Sequence, residues 1–150
     1  MEDYKINITN YMEYDRFANI QNKKGDKFFV HFIEYDDYSN ISNDIMQPYN
    51  IKGTLCIELV CNSKKCDNHE ELMYNQTINN SSHINAIVDV KQVLDEYTIL
   101  ASSNIVNYDI VVAFEDKIAY NIGDRIYIEG SLELKQELTL EESIDDYLSR

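Results

Sequence analysis

Glycine and proline are scarce in this chain, with four glycines and one proline in 150 residues. Loops that cradle phosphate need several glycines at fixed spacing so that backbone N–H groups can close on the anion. Neither Gly-x-x-x-x-Gly-Lys nor Gly-x-Gly-x-x-Gly occurs. The strained nucleophile turn Gly-x-Ser-x-Gly, the zinc helix His-Glu-x-x-His and the EF-hand loop are also missing. Turns must therefore come from Asn and Asp, whose side chains bond nearby backbone and tolerate left-handed conformations. Asn-Asn, Ser-Asn and Asp-Asp pairs stand where such turns are expected.

Long apolar runs are missing too. No segment approaches 18 consecutive apolar residues, and the opening MEDYKINITNYMEY has neither a basic start nor an apolar stretch. These features predict no membrane span, no standard secretory signal and a cytoplasmic location. The cysteines are odd in number and crowded, Cys56, Cys61 and Cys66 within eleven residues, so reduced thiols are expected rather than a disulfide framework. Asn-x-Ser/Thr triplets beginning at Asn7, Asn40, Asn75, Asn79 and Asn80 are read as unmodified, since a chain rich in Asn and Ser produces them by chance.

What the chain has in excess is acid: 27 Asp and Glu against 13 Lys and Arg, a formal net charge of −14 and a pI near 4.4. Such a surface repels nucleic-acid phosphate and anionic lipid and speeds encounter with a basic partner. A hydrophobic share of 44% with 11% aromatics is that of a folding chain. The length fits one domain, with no repeat and no linker dividing it.

Alternation predicts a mostly β or α+β fold. Residues 1–50 are expected to form an N-terminal strand and helix layer, 51–135 an antiparallel β core, and 139–150 a short acidic helix. Lys27 to Tyr35 reads as a strand leaving through Asp36-Asp37. Ile51 to Cys61 reads as another, with Leu55, Ile57 and Leu59 on one face and Cys56, Glu58 and Val60 on the other. Residues 62–82 read as a long loop with a helical turn near Glu70 to Tyr74. Strands are then expected at Ile84 to Val90, Tyr97 to Ala101 and Tyr108 to Phe114. A final strand is expected after the turn Asn121-Ile122-Gly123-Asp124, with Ile126, Ile128, Leu132 and Leu134 pointing one way, Arg125, Tyr127, Glu129, Ser131 and Glu133 the other, and a bend at Gly130. Thr139-Leu-Glu-Glu opens like a capping box for a C-terminal helix carrying Ile144, Tyr147 and Leu148, and Tyr11 to Ile20 is a second helix candidate.

The run Gly123-Asp-Arg-Ile-Tyr-Ile-Glu-Gly-Ser-Leu132, after three strands, resembles the closing strand of OB-fold barrels across residues 51–135. That likeness implies a small barrel or sandwich, with Tyr97, Tyr108 or Tyr127 as stacking platforms in a nucleic-acid or assembly module. The chain departs from it in two respects: Ser102 to Tyr108 leaves no room for the usual helix, and no basic aromatic face is apparent. In overall style the chain also resembles immunity proteins of bacterial polymorphic and contact-dependent toxin systems, which implies an acidic inhibitor of a toxin.

Chemistry-bearing residues are sparse. Cys61, Cys66 and His69, with Cys56 as a fourth, have metal-ligand types but not the tight Cys-x-x-Cys spacing of zinc sites, so they make a minor metal-regulator alternative. Adjacent acids such as Glu70-Glu71 and Asp145-Asp146 read as solvated faces, and neither an enzyme nor a cofactor is expected. Tyr14 and Asp15, then Glu34, Tyr35, Asp36, Asp37 and Tyr38, interleave rings with carboxylates. A surface of that kind anchors a basic protein through buried rings and a charged rim. The leading expectation is a monomer or small homo-oligomer that neutralises a basic protein, such as a cognate nuclease toxin.

Overall fold

The computed structural model describes residues 1–34 and 47–149, and in them the chain is mostly β. Nine strands form one sheet: β1 (Glu2–Met12), β2 (Asp15–Asn22), β3 (Lys27–Ile33), β4 (Tyr49–Lys65), β5 (Met73–Asn75), β6 (His83–Asp95), β7 (Thr98–Ser102), β8 (Ile110–Phe114) and β9 (Arg125–Gln136). Among the described residues one helix, α1 (Leu140–Leu148), follows. Strand order is β1-β2-β3-β9-β4-β8-β7-β6-β5, and two further pairings, β1 with β4 and β6 with β9, join strands distant in that order. The sheet thus closes into two rings, β1-β2-β3-β9-β4 and β4-β8-β7-β6-β9, which share the long antiparallel pair β4·β9. The β3–β9 and β4–β8 pairings are parallel and all others antiparallel, so the arrangement is more than the antiparallel meander the sequence implies.

Alternation builds the interior. Tyr4, Ile6 and Ile8 of β1, Ala18 and Ile20 of β2, and Phe28, Val30 and Phe32 of β3 face inward in the first ring. Ile84, Ala86, Val88 and Val90 of β6 and Ile126 and Ile128 of β9 do so in the second, and all belong to one continuous core. Turns are made by acids and amides as expected: Asn22 Oδ1 accepts from Lys24 N and Asp26 N, Asp95 Oδ1 from Tyr97 N, and Asp124 Oδ2 from Asn121 N.

Four expectations need correction. Residues 11–20 are no helix but the end of β1, a tight turn and most of β2, where Arg16, Ala18 and Ile20 alternate inward and pair across to β1 and β3. Loop 62–82 is shorter than expected, since β4 runs on to Lys65 and β5 occupies 73–75 near the expected helical turn. Tyr108 precedes β8, which starts at Ile110. In β4 the face assignment fails after Glu58: Leu59 is 62% exposed and Val60 is buried. The cause is a bulge, for Glu58 pairs with Ser131 but the next pair is Asn62 with Glu129. Leu59 takes up the excess with φ 58°, which turns Val60 into the core.

The capping box forms as expected: Thr139 Oγ1 accepts from Glu142 N at 3.2 Å and Thr139 N donates to Glu142 Oε1 at 3.2 Å. Helix α1 packs Leu140, Ile144 and Tyr147 over Cys56 and Val111, while Leu148 stays exposed. Tyr147 Oη lies 3.0 Å from Cys56 Sγ, and burial pushes that thiol up to about 12. Among the described residues no helix is long and apolar enough to cross a membrane.

The bulge needs Gly130 opposite it. A Cβ there would sit 2.7 Å from Glu58 O and 2.8 Å from Ile57 Cγ2, contacts that only backbone movement relieves. Gly130→Ala is expected to destabilise the protein by about 1–3 kcal/mol, read as a lower urea midpoint. An unchanged midpoint would show that β4 and β9 adjust freely at the bulge.

Candidate functional site

The end of the β1–β2 hairpin projects beyond the core. After Ile8 the β1–β2 register shifts, and residues 9–14 are exposed on both faces. Glu13 and Tyr14 make the turn, with Glu13 at φ 52°. An exposed two-residue turn would ordinarily be loose, but this one is braced from below. Arg16, 0% exposed, donates from Nη1 to Glu13 O at 2.7 Å and to Asp15 O at 3.0 Å. The Tyr11 ring lies over its guanidinium at 5.9 Å. Glu34 N donates to Tyr14 O at 2.9 Å, which docks the chain leaving β3 onto the turn.

Register fixes what each face of this tip presents. Met12 pairs with Asp15, and Asp15 with Ile33, so these three side chains form one row across three strands on the outer face. Met12 is 70% and Ile33 51% exposed, with Tyr14 at 48% beside them. The next pair inward is Phe17 with His31, whose rings lie 5.1 Å apart.

His31 is the anchor of the outer face. Its Nδ1–H donates to Glu133 Oε1 at 2.5 Å and its Nε2–H to Asp15 Oδ1 at 2.6 Å. Ser131 Oγ donates to Glu133 Oε2 at 2.7 Å, and Ser82 Oγ lies 2.7 Å from Ser131 Oγ. Placing an imidazole between two carboxylates favours its charged form, and Glu133, then Asp15, raise His31 to about 9. Burial pushes Glu133 up, while His31 and Ser131 pull it back. Both ring nitrogens are occupied by acids, so His31 has none left to activate a hydroxyl or thiol. The group is a clamp tying β2 and β3 to β9, not a nucleophile and its base.

The structure brings Tyr14, Asp15 and Glu34 to one end, as a shared surface requires. Asp15 is also committed to the clamp. Tyr35, Asp36, Asp37 and Tyr38 lie outside the described residues. The metal candidates are dispersed. Cys56 is buried under α1, Cys61 is exposed, Cys66 lies roughly 16 Å of strand further on, and the His69 side chain is 94% exposed. Among the described residues no three His, Cys, Asp or Glu side chains are grouped to hold a metal ion. Of the stacking candidates, Tyr108 packs against the core with its hydroxyl accepting from Leu55 N, and Tyr127 donates to Glu129, which leaves Tyr97 with an exposed ring.

Sequence reasoning missed Arg16, Met12, Ile33 and Glu133. Glu133 was legible only as an outward position on β9, and its burial depends on β3 lying alongside, a pairing of two strands about a hundred residues apart. Against protein-family models, curated proteins and solved structures the chain shows no significant match.

The clamp gives stability a defined pH dependence. His31 is raised from 6.5 to about 9, so its contribution is complete below pH 6.5, declines as the unfolded chain alone loses its proton, and is gone above about 9. The wild-type urea midpoint should fall across that window relative to His31→Gln, which should itself be less stable by about 3 kcal/mol with Glu133 left unpaired. Parallel midpoints from pH 6 to 9.5 would show that His31 is not charged in the clamp.

Proposed function

We propose that this is an acidic binding protein that neutralises a basic protein partner, in the manner of an immunity protein occluding the active site of a toxin such as a nuclease. The observation that carries the reading is the braced hairpin end, where Met12, Tyr14 and Ile33 stand exposed around Asp15, with Glu13 and Glu34 alongside. Apolar anchors ringed by carboxylates suit a partner whose Lys and Arg would otherwise hold substrate phosphates. The hairpin is fixed by Arg16 below and His31 behind, so little freedom is lost on binding. The net charge of −14 would steer such a partner and raise its association rate. The OB-like alternative, a nucleic-acid or assembly module, has Tyr97 as its exposed ring, and Lys117 nearby is paired with Glu96.

Co-purification from native lysate at low and moderate salt tests the proposal. A stoichiometric basic protein, retained at low salt and released as salt rises, is expected. Glu13→Lys with Glu34→Lys should then weaken binding by more than tenfold, mostly through slower association, and Tyr14→Ala should speed dissociation. Unchanged affinity in both would move the contact surface elsewhere. Retention of nucleic acid instead of protein would favour the module.

A further inference from the structure

The inner face of the same hairpin carries a separate feature that the proposed contact row does not use. Arg16 alternates with Ala18 and Ile20 along β2, so its side chain enters the first ring rather than the solvent. Its cross-strand neighbours are Tyr11 and Phe32, which wall it with rings on either side. The guanidinium is wholly buried, and only Nη1 is engaged, by the two turn carbonyls. Among the described residues, Nε and Nη2 meet no acceptor.

Those two groups are not an arbitrary pair. Nε–H and Nη2–H lie along one edge of the planar guanidinium and point the same way, the fork that receives both oxygens of a carboxylate. The neighbouring acids do not fill it: Asp15 lies on the opposite face of β2 and binds His31, and Glu133 is held by His31 and Ser131. A buried cation without a counter-charge is strongly disfavoured, by several kcal/mol per ion in real interiors. With Nη1 pinned by its own turn, the free edge is oriented in advance for an anion.

We propose that Arg16 is a binding site for a small carboxylate. One monocation matches a monoanion rather than a phosphate or sulfate dianion. The flanking Tyr11 and Phe32 rings suit a short apolar tail. Neither donor is reached by solvent in the closed hairpin end, so a ligand enters only as that end opens, which favours one of few atoms. The site lies on the other face of β2 from the Met12–Asp15–Ile33 row and does not depend on that row binding a protein.

The test is a titration of the ¹⁵N-labelled protein with sodium acetate and sodium butyrate at constant ionic strength, with sodium chloride, sodium sulfate and acetamide as comparison arms. The reading is the Arg16 Nε–Hε resonance, assigned by through-bond correlation to the Arg16 side chain in ¹³C,¹⁵N-labelled wild-type protein, with Arg125 as internal reference. Acetate and butyrate should move Hε downfield saturably and slow its exchange with water, while chloride, sulfate and acetamide leave it in place. Acetate should also raise the wild-type Tm, and Arg16→Lys, which keeps the charge but loses the fork, should need at least about tenfold more acetate for the same rise. An Hε resonance unmoved by either carboxylate, or moved equally by sulfate or chloride, overturns the site. The wild-type titration decides even if Arg16→Lys does not fold.

Discussion

Everything in this fold depends on the antiparallel pairing of β4 with β9. Each strand belongs to both rings, so the interior of one is walled by the strands that wall the other. Two strands of 17 and 12 residues cannot serve two rings while remaining regular, because adjacent closed rings curve in opposite senses about their common wall. The bulge at Leu59 relieves this. Below it, Leu55 and Ile57 face the core and pair toward Leu134 and Leu132; above it, Val60 resumes the inward position while β9 pairs on with β6. Gly130 is the only residue type that fits opposite, because the Glu58 carbonyl occupies the place of a side chain.

How much of this was legible follows from what determines each element. The β6 to β9 strands, the capped helix and the turns at Asn and Asp were readable because their signals are local: alternation, a capping pair, a side-chain oxygen two residues from the N–H it accepts. Alternation was equally present in residues 11–20, but the exposed Tyr11, Met12, Glu13 and Tyr14 break it where the hairpin outruns the core, and helical spacing then fits as well as a strand. Leu59 misled because a bulge changes parity without any change in residue type. Nor could sequence join Glu133 to His31, since that contact depends on how the two rings meet.

The candidate site was half legible for the same reason. Interleaved Tyr and acid marked Tyr14, Asp15 and Glu34, and the docking of Glu34 on the Tyr14 carbonyl joins segments twenty residues apart. The exposed apolar members, Met12 and Ile33, carry no sequence signal, because such residues usually belong to a core. Only register, by setting them on either side of Asp15, makes them part of a surface.

The charge distribution follows from where the cations are used. Arg16 braces the hairpin turn from within. Arg125 holds Asp89 with Nε and Nη2 and reaches the Asn68 and Glu70 carbonyls with Nη1, fastening the loop after β4. His31 clamps three strands, and Lys135, mostly buried, pairs with Glu58 beneath α1. These four groups are thus committed to internal bracing, whereas Lys23, Lys65 and Lys117 keep most of their side chains in solvent. The negative field itself follows from composition, 27 acids against 13 Lys and Arg. It acts over about a Debye length, roughly 8 Å at physiological salt, and so guides approach without specifying a contact. Specificity has to come from a rigid group of exposed apolar side chains, and the braced hairpin end supplies one.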